Sequence, residues 1–266
     1  MTSFPEIELP ADIRAAEVPC KAALGRSGIP GVEFTLNPYL GCSHGCAYCY
    51  AAFMARYSRV SSGLQWGSFV EVKSGFADLL ASELGRRRKP GTALLSSVCD
   101  PYQPMEKKYE TTRRCIRLLK NHGWGVRILT RSPLVLRDVD VLASGLFPGS
   151  TSVGISIPTD DDGVRKVTEP RAPSIGSRIE TLRRLRDAGL DTWAFVGPML
   201  PMRDPEALAE TLRPLVSRVL IDGLHYQGRV TALFQRHGWS DALTPEYARR
   251  TASRLEAVLG DLAERA

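Results

Sequence analysis

The stretch Asn37-Pro-Tyr-Leu-Gly-Cys42-Ser-His-Gly-Cys46-Ala-Tyr-Cys49-Tyr50 places three cysteines within eight residues. Soft thiolates at that spacing point to metal chemistry rather than to a disulfide. A tetrahedral zinc site or a cubane iron-sulfur cluster asks for four ligands, and no nearby residue clearly completes the set. Three thiolates leave one metal with an open coordination position, which is where a substrate or cofactor binds. His44 lies inside the loop and is the candidate for a Cys3His zinc site, but it stands only two residues from Cys42, a poor match to zinc-module spacing.

Working outward, the loop directly follows Val32-Glu-Phe-Thr-Leu36, whose alternating apolar residues predict a first strand. The cysteines therefore sit at that strand's C-terminal end, where barrel enzymes carry their active sites. Beyond it, short apolar segments at 92–98, 126–130, 151–158 and 190–196 alternate with amphipathic ones at 76–88 and 110–121. Ser177 and Glu180 read as a capping box with Gly189 as the stop of that helix, and Asp204-Pro205-Glu206 and Thr244-Pro245-Glu246 read as two further helix starts. The alternation predicts about six strand-helix units and an α/β fold with parallel strands joined by crossovers. In 151–158, Val153, Ile155 and Ile157 share one face while Ser152, Gly154 and Ser156 share the other. Small and polar residues on an inward face leave room for a ligand, or lie under a polar loop. Residues 1–30 show no strong period and are expected to wrap the outside. The expected division is an N-terminal extension over 1–30, a core over 31–230 and a C-terminal helical segment over 231–266.

Composition narrows the setting. The 266 residues, 43% of them hydrophobic, suffice for one domain with a sizeable core. No basic, apolar leader precedes the six cysteines, and no apolar run approaches the roughly 20 residues that cross a bilayer. A soluble, cytoplasmic monomer with reduced thiols is expected. The net charge of +6 permits an anionic partner without requiring one. The densest basic run, Arg86-Arg87-Arg88-Lys89, follows a helix whose C-terminus cations would complement. Asp160-Asp161-Asp162 reads as a solvated acid cluster, with a hard-cation site as the alternative. No Lys/Arg stripe interleaved with aromatics is evident along the chain.

The residues Cys42-Ser-His-Gly-Cys46-Ala-Tyr48-Cys49 are similar to the three-cysteine motif of the radical S-adenosylmethionine (SAM) superfamily. Within it, Asn37 to Ala51, Asp100-Pro-Tyr-Gln-Pro-Met-Glu106, Leu129-Thr-Arg-Ser-Pro133 with Arg137-Asp138, and Glu169-Pro-Arg-Ala-Pro173 resemble the spore photoproduct lyase-like, or DNA repair photolyase-like, branch. The resemblance covers roughly residues 32 to 200. It implies a partial (β/α)6 TIM-like barrel, a 4Fe-4S cluster on Cys42, Cys46 and Cys49, and SAM chelating the fourth iron. It further implies hydrogen abstraction by a 5'-deoxyadenosyl radical, a lyase-like activity, a substrate such as a DNA lesion, and an electron donor such as flavodoxin or ferredoxin.

The resemblance also suggests individual roles. Tyr48 packs near the adenine or shields the cluster. Ser156 contacts the cofactor's ribose or methionine part, and Arg131 forks onto its carboxylate. The Gly-Gly-Glu segment that orients the methionine amine in many relatives is missing, and Asp100 and Glu106 are the candidates by position. Cys99, or its neighbour Ser97, stands where a hydrogen-donor cysteine acts in such enzymes. Cys115 reads as core, and Cys20 carries no motif. The competing classes are a zinc-bearing nucleic-acid-binding module and a non-catalytic iron-sulfur sensor.

Overall fold

Period-two alternation produces a sheet with one face packed in helices and the other facing an interior. The computed structural model describes residues 13–61, 63–87, 89–144 and 151–265. Its strands are β1 (Arg14–Pro19), β2 (Leu24–Arg26), β3 (Phe34–Leu36), β4 (Tyr39–Leu40), β5 (Phe69–Ser74), β6 (Thr92–Leu95), β7 (Gly125–Thr130), β8 (Thr151–Ser156), β9 (Asp191–Val196), β10 (Arg218–Ile221) and β11 (Ala263–Arg265). The principal sheet has the order β11-β10-β9-β8-β7-β6-β3-β2, parallel throughout except for the antiparallel β2. The six parallel strands β3, β6, β7, β8, β9 and β10 form the partial barrel, with β2 and β11 at the two ends of the sheet.

The helices are α1 (Phe76–Gly85), α2 (Glu106–Tyr109), α3 (Thr111–Asn121), α4 (Val139–Leu142), α5 (Asp162–Thr168), α6 (Ile175–Asp187), α7 (Pro205–Leu212), α8 (Thr231–Arg236) and α9 (Pro245–Leu259). Leu80, Leu84, Ile116, Leu119, Leu182, Leu185, Leu208, Leu212 and Leu255 pack from these helices against Leu36, Leu95, Val126, Ile128, Val153, Ile155, Val196 and Val219 of the sheet. Each such side chain, fully buried, contributes about 1.5–3 kcal/mol. The opposite parity is only half-buried at Thr35, Arg127, Leu129, Phe195, Arg218 and Leu220, so it lines an open lumen.

Register stacks the lumen in layers. Leu94, Arg127, Ser152 and Asp191 are successive partners in one, and Leu129, Gly154, Trp193 and Arg218 in the next. Ser156, Phe195 and Leu220 form the layer nearest the C-terminal ends. Ser152, Gly154 and Ser156 face inward as the sequence implies, but Trp193 occupies part of the space they leave. A Cβ on Gly154 would come within 2.3 Å of the indole, so the absent side chain is what lets the ring lie across β8.

The structure moves several boundaries. The second barrel strand stops at Leu95 rather than 98, because Asn37 Oδ1 accepts from Ser97 N (2.9 Å) and Val98 N (3.2 Å) and turns the chain out of the sheet. The cap of α6 is Ser174, whose hydroxyl accepts from Ser177 N at 3.2 Å, while Glu180 pairs with Arg183. Asp204 and Thr244 cap α7 and α9 as their sequences specify, and Gly189 adopts φ +77° after α6. Helix α1 ends at Gly85, and Arg87 stacks on Phe34 and Trp124 with its guanidinium 4.3 and 5.9 Å from the ring centres. Arg88 lies outside the described residues. The chain ahead of residue 31 does more than wrap: β2 extends the barrel sheet, and β1 pairs with β5 in a second sheet, β1-β5-β4. These strands are short or half-exposed, which is why their period is weak.

The small sheet fixes the start of the cysteine loop. Gly41 follows β4 with φ +87°, and a Cβ there would stand 2.4 Å from the Phe69 carbonyl oxygen of β5. We expect Gly41→Ala to lower unfolding free energy by roughly 1–3 kcal/mol in urea titration, the scale of an enforced backbone strain. Gly28→Ala, where nothing lies within 4 Å, should change it little.

Candidate functional site

The loop after β3 is pinned at each step. Gln103, buried, donates from Nε2 to Gly41 O (3.1 Å) and accepts from Ser43 N (3.0 Å). Ala47 N donates to Thr168 O at 2.8 Å, and Arg171 Nη1 donates to Gly67 O at 2.7 Å and to Ser43 O at 3.3 Å. Gly45 and Gly67 approach so closely that a Cβ on Gly67 would meet Gly45 Cα at 2.7 Å. The loop that follows β3 and β4 is thus tied to the segments that follow β6 and β8.

Two buried carboxylates organise the mouth. Asp100 accepts from Tyr102 N (2.8 Å), Thr130 Oγ1 (2.6 Å) and Arg131 N (2.8 Å), and His44 Nε2 approaches it to 3.3 Å without hydrogen-bond alignment. Burial opposes its ionisation, but His44, Thr130 and Arg131 outweigh burial and hold the carboxyl down at about 2. Glu169 sits deeper, bound by Arg178 Nη2, by Arg131 Nε at 2.8 Å and by the Tyr48 hydroxyl. Burial again opposes charge, yet the two guanidiniums and Tyr48 hold this carboxyl down at about 2 as well. Arg178, fully buried, also donates to Ser156 O and Pro173 O, both at 3.0 Å, so one residue joins the end of β8 to the 169–173 turn.

Of the residues the sequence singles out, Tyr48, Arg131 and the three loop cysteines come together here. Arg131 and Tyr48 engage Glu169, and Arg131 Nη2 donates to Tyr48 Oη at 3.1 Å. Ser156 is buried with an Oγ that has no partner. Cys99 lies on the segment after β6, its sulfur 2.8 Å from Ser96 Oγ and 3.5 Å from Tyr39 O, packed against the small-sheet cluster of Tyr39, Val70, Val72 and Met105, and burial pushes its thiol up to about 12. Glu106 instead lies away from the mouth, accepting from Tyr39 Oη, Thr112 N, Arg113 N and Arg137 Nη2. Asp160, Asp161 and Asp162 accept from Arg203, Asp204, Gly163, Ile175 and Arg165, so the run caps and joins α5 and α7. Cys115 is core, and Cys20 donates to Ala22 O.

Sequence reasoning gave no role to Glu169, which it used only as part of a resembling segment, and passed over Arg178. Arg178 had a signal: it falls on the stripe Ile175, Arg178, Leu182, Leu185 that α6 buries, and a charge on a core-facing stripe demands a buried partner. Trp66, whose indole reaches Cys49, and Gln103 carried no such pattern.

All the loop thiols are free. Burial pushes Cys42 well up, reinforced by Asp100 and Cys46, and pushes Cys46 up to about 12 against the pull of Arg131. Cys49 is raised by burial, again opposed by Arg131. Among the described residues no three His, Cys, Asp or Glu side chains converge as they would on one metal ion, and His44 turns Nε2 to Asp100 at 3.3 Å and Nδ1 to Arg171 O at 3.4 Å. A cubane binds each thiolate through a different iron, so its ligands stand apart around a body instead of meeting at a point. Three free thiols on one loop, two of them beside the Arg131 guanidinium, fit that group. Beside Cys46 a cleft of about 580 Å³ opens between Gly45, Trp66, Pro170, Arg229 and Leu233.

Comparison with known proteins places these features. The model of the radical SAM superfamily matches residues 36–215. An uncharacterized protein of Methanocaldococcus jannaschii is 32% identical over 206 residues, covering 77% of this chain and 75% of its own. One of Mycobacterium tuberculosis is 31% identical over 247 residues, covering 88% and 71%. Spore photoproduct lyase complexed with dinucleoside spore photoproduct superposes with a TM-score of 0.65 at 15% identity, over 94% of this chain and 81% of that one, a likeness of fold.

The Glu169 network yields a pH test. Its carboxyl falls from an ordinary 4.5 to about 2, so the stabilisation is complete above pH 4.5 and is lost as pH drops toward 2. We expect Glu169→Gln to lose about 3–5 kcal/mol at neutral pH by leaving buried guanidiniums unpaired. Urea titrations across that acid window should show a shallower decline for the variant.

Proposed function

This chain belongs to the radical SAM superfamily, and from that premise we propose an enzyme whose Cys42, Cys46 and Cys49 hold the cluster at which SAM is reductively cleaved, with a substrate bound in the lumen below. The cofactors are a 4Fe-4S cluster and SAM, which when bound and reduced by a donor such as flavodoxin or ferredoxin supply a 5'-deoxyadenosyl radical that abstracts hydrogen. The observation that carries the reading is three free thiols on the loop after the first barrel strands, in a chain whose β8 ends on a buried hydroxyl with no partner.

The chain's residues divide the remaining work. Burial keeps the thiols neutral, so loading the cluster releases protons, and the Arg131 cation eases that release at Cys46 and Cys49. Glu169 holds Arg131 and Tyr48 in place, with Tyr48 as a wall of the cofactor pocket. Because its Nε is engaged by Glu169, Arg131 acts on a cofactor carboxylate only through its remaining N–H groups. Asp100 supports the loop through Thr130, Arg131 N and His44 rather than serving the methionine amine. Ser156 Oγ has its hydrogen-bonding capacity free for the cofactor.

Cys99 is the hydrogen donor in this reading. A thiol pushed up to about 12 stays protonated, and only the protonated form has a hydrogen atom to give to a product radical. The reaction is lyase-like, and a nucleic-acid lesion is the substrate class, a reading supported by the shared fold of an enzyme that binds dinucleoside spore photoproduct.

Anaerobic reconstitution with iron and sulfide, followed by dithionite and SAM, should yield 5'-deoxyadenosine. A protein that takes up zinc in place of iron and sulfide, or a well-loaded protein that forms none, would overturn the proposal. A Cys42→Ala/Cys46→Ala/Cys49→Ala variant should lose both brown colour and cleavage. Ser156→Ala should keep its iron but need roughly three- to tenfold more SAM for half-saturation, the scale of one hydrogen bond. Cys99→Ala should retain iron and 5'-deoxyadenosine formation while losing the reduced product.

A further inference from the structure

The 3-10 helix Tyr50–Tyr57 turns the wrong side to water. At three residues per turn Tyr50, Phe53 and Arg56 form one row, with Tyr57 beside it. Tyr50, Phe53 and Tyr57 are 45%, 46% and 59% exposed, while the buried residues of this helix are Ala51 and Ala52. Tyr226, from the segment after β10, stacks on Tyr50 with ring centres 6.1 Å apart and planes at 27°. Among the described residues five large hydrophobic side chains are exposed, and four of them are Tyr50, Phe53, Tyr57 and Tyr226. Gathered apolar surface of this kind marks a binding face, whereas scattered single residues do not.

The face is cationic as well as aromatic. Arg56 lies 5.3 Å from the Phe53 ring centre and 4.8 Å from that of Tyr57. No acidic residue occurs between Glu33 and Glu71. Glu71 is buried and engaged by Ser58 Oγ (2.7 Å) and Val60 N (3.1 Å), just past the helix C-terminus. Along the sequence no stripe of basic and aromatic residues was evident, because the stripe comes from two segments about 170 residues apart that the fold joins at Tyr50 and Tyr226.

We propose that this face binds the unpaired bases of a single-stranded nucleic acid, which stack on Phe53, Tyr57 and the Tyr50–Tyr226 pair while phosphates lie against Arg56 and Arg59. Flat apolar rings alternating with guanidiniums suit bases and backbone together. The location favours a strand that feeds the lumen: Tyr50 Oη donates to Ser97 O, two residues from Cys99, and its partner Tyr226 follows the last strand of the (β/α)6 set, so the row begins at the mouth. A protein electron carrier seated there would cover the substrate's entrance. The inference deepens the functional reading above and rests on it only for the substrate class.

The test is fluorescence anisotropy of a short labelled single strand, DNA in one arm and RNA in another, titrated with anaerobically reconstituted holoenzyme. Phe53→Ala/Tyr57→Ala should weaken binding tenfold or more in at least one arm, and Arg56→Ala should flatten the dependence of affinity on salt. SAM cleavage by dithionite without substrate should stay unchanged in these variants, which separates a failure of this inference from a failure of the enzyme reading. Affinities within twofold of the parent would overturn the proposal. So would unchanged oligonucleotide binding accompanied by a loss of flavodoxin-driven cleavage, which would assign the face to the electron carrier instead.

Discussion

The buried charge of Glu169 is the interaction on which the mouth of the barrel depends. An ionised carboxylate with no access to water is sustained only by partners that meet it closely, and Arg178, Arg131 and Tyr48 do so from α6, the end of β7 and the cysteine loop. Because these three elements arrive from distant parts of the chain, one anion sets their relative positions. Arg178 extends the constraint to the carbonyl of Ser156, which fixes the end of β8 and the hydroxyl that lies there. Such a network contributes modestly to net stability after desolvation, and its stronger effect is to exclude other arrangements of the loop.

The same charges prepare the thiols. Burial makes each loop cysteine a neutral thiol, which would bind no iron, while Arg131 pulls Cys46 and Cys49 the other way. Arg131 therefore offsets part of the burial at Cys46 and Cys49, and metal uptake is coupled to loss of the thiol protons. Asp100 performs a structural counterpart, tying the segment after β6 to β7 through Thr130 and the Arg131 amide and standing 3.3 Å from His44 of the loop. Family membership and this arrangement agree on the cofactor pair.

Much of the barrel was readable from residue order because its signals are local. Period-two alternation, Asp204 and Thr244 as caps, and Gly189 as a stop each act within a few residues of where they are read. Errors occurred where a distant side chain intervened. Asn37 pulls Ser97 and Val98 out of the second strand across about 60 positions, and β1 and β2 form because partners elsewhere accept their edges. Ser177 and Glu180 match a capping box, yet Ser174 takes the role three residues earlier, after the 169–173 turn that Arg178 holds.

The three cysteines and their place after the first barrel strand are properties of the sequence itself: ligand chemistry depends on residue type, and a loop's length on spacing. The resemblance these residues carry implied the superfamily and the cofactors, and the alternation of strands and helices implied the α/β fold. Only the tertiary structure decided which charged residues share the buried site, which groups Asp100 and Glu106 accept hydrogen bonds from, and that Trp193 fills part of the lumen over Gly154. It also joined Tyr226 to the Tyr50 row. The physical reason is that burial and pairing are collective: they depend on which surfaces meet when six strands close part of a barrel, and no single segment carries that information.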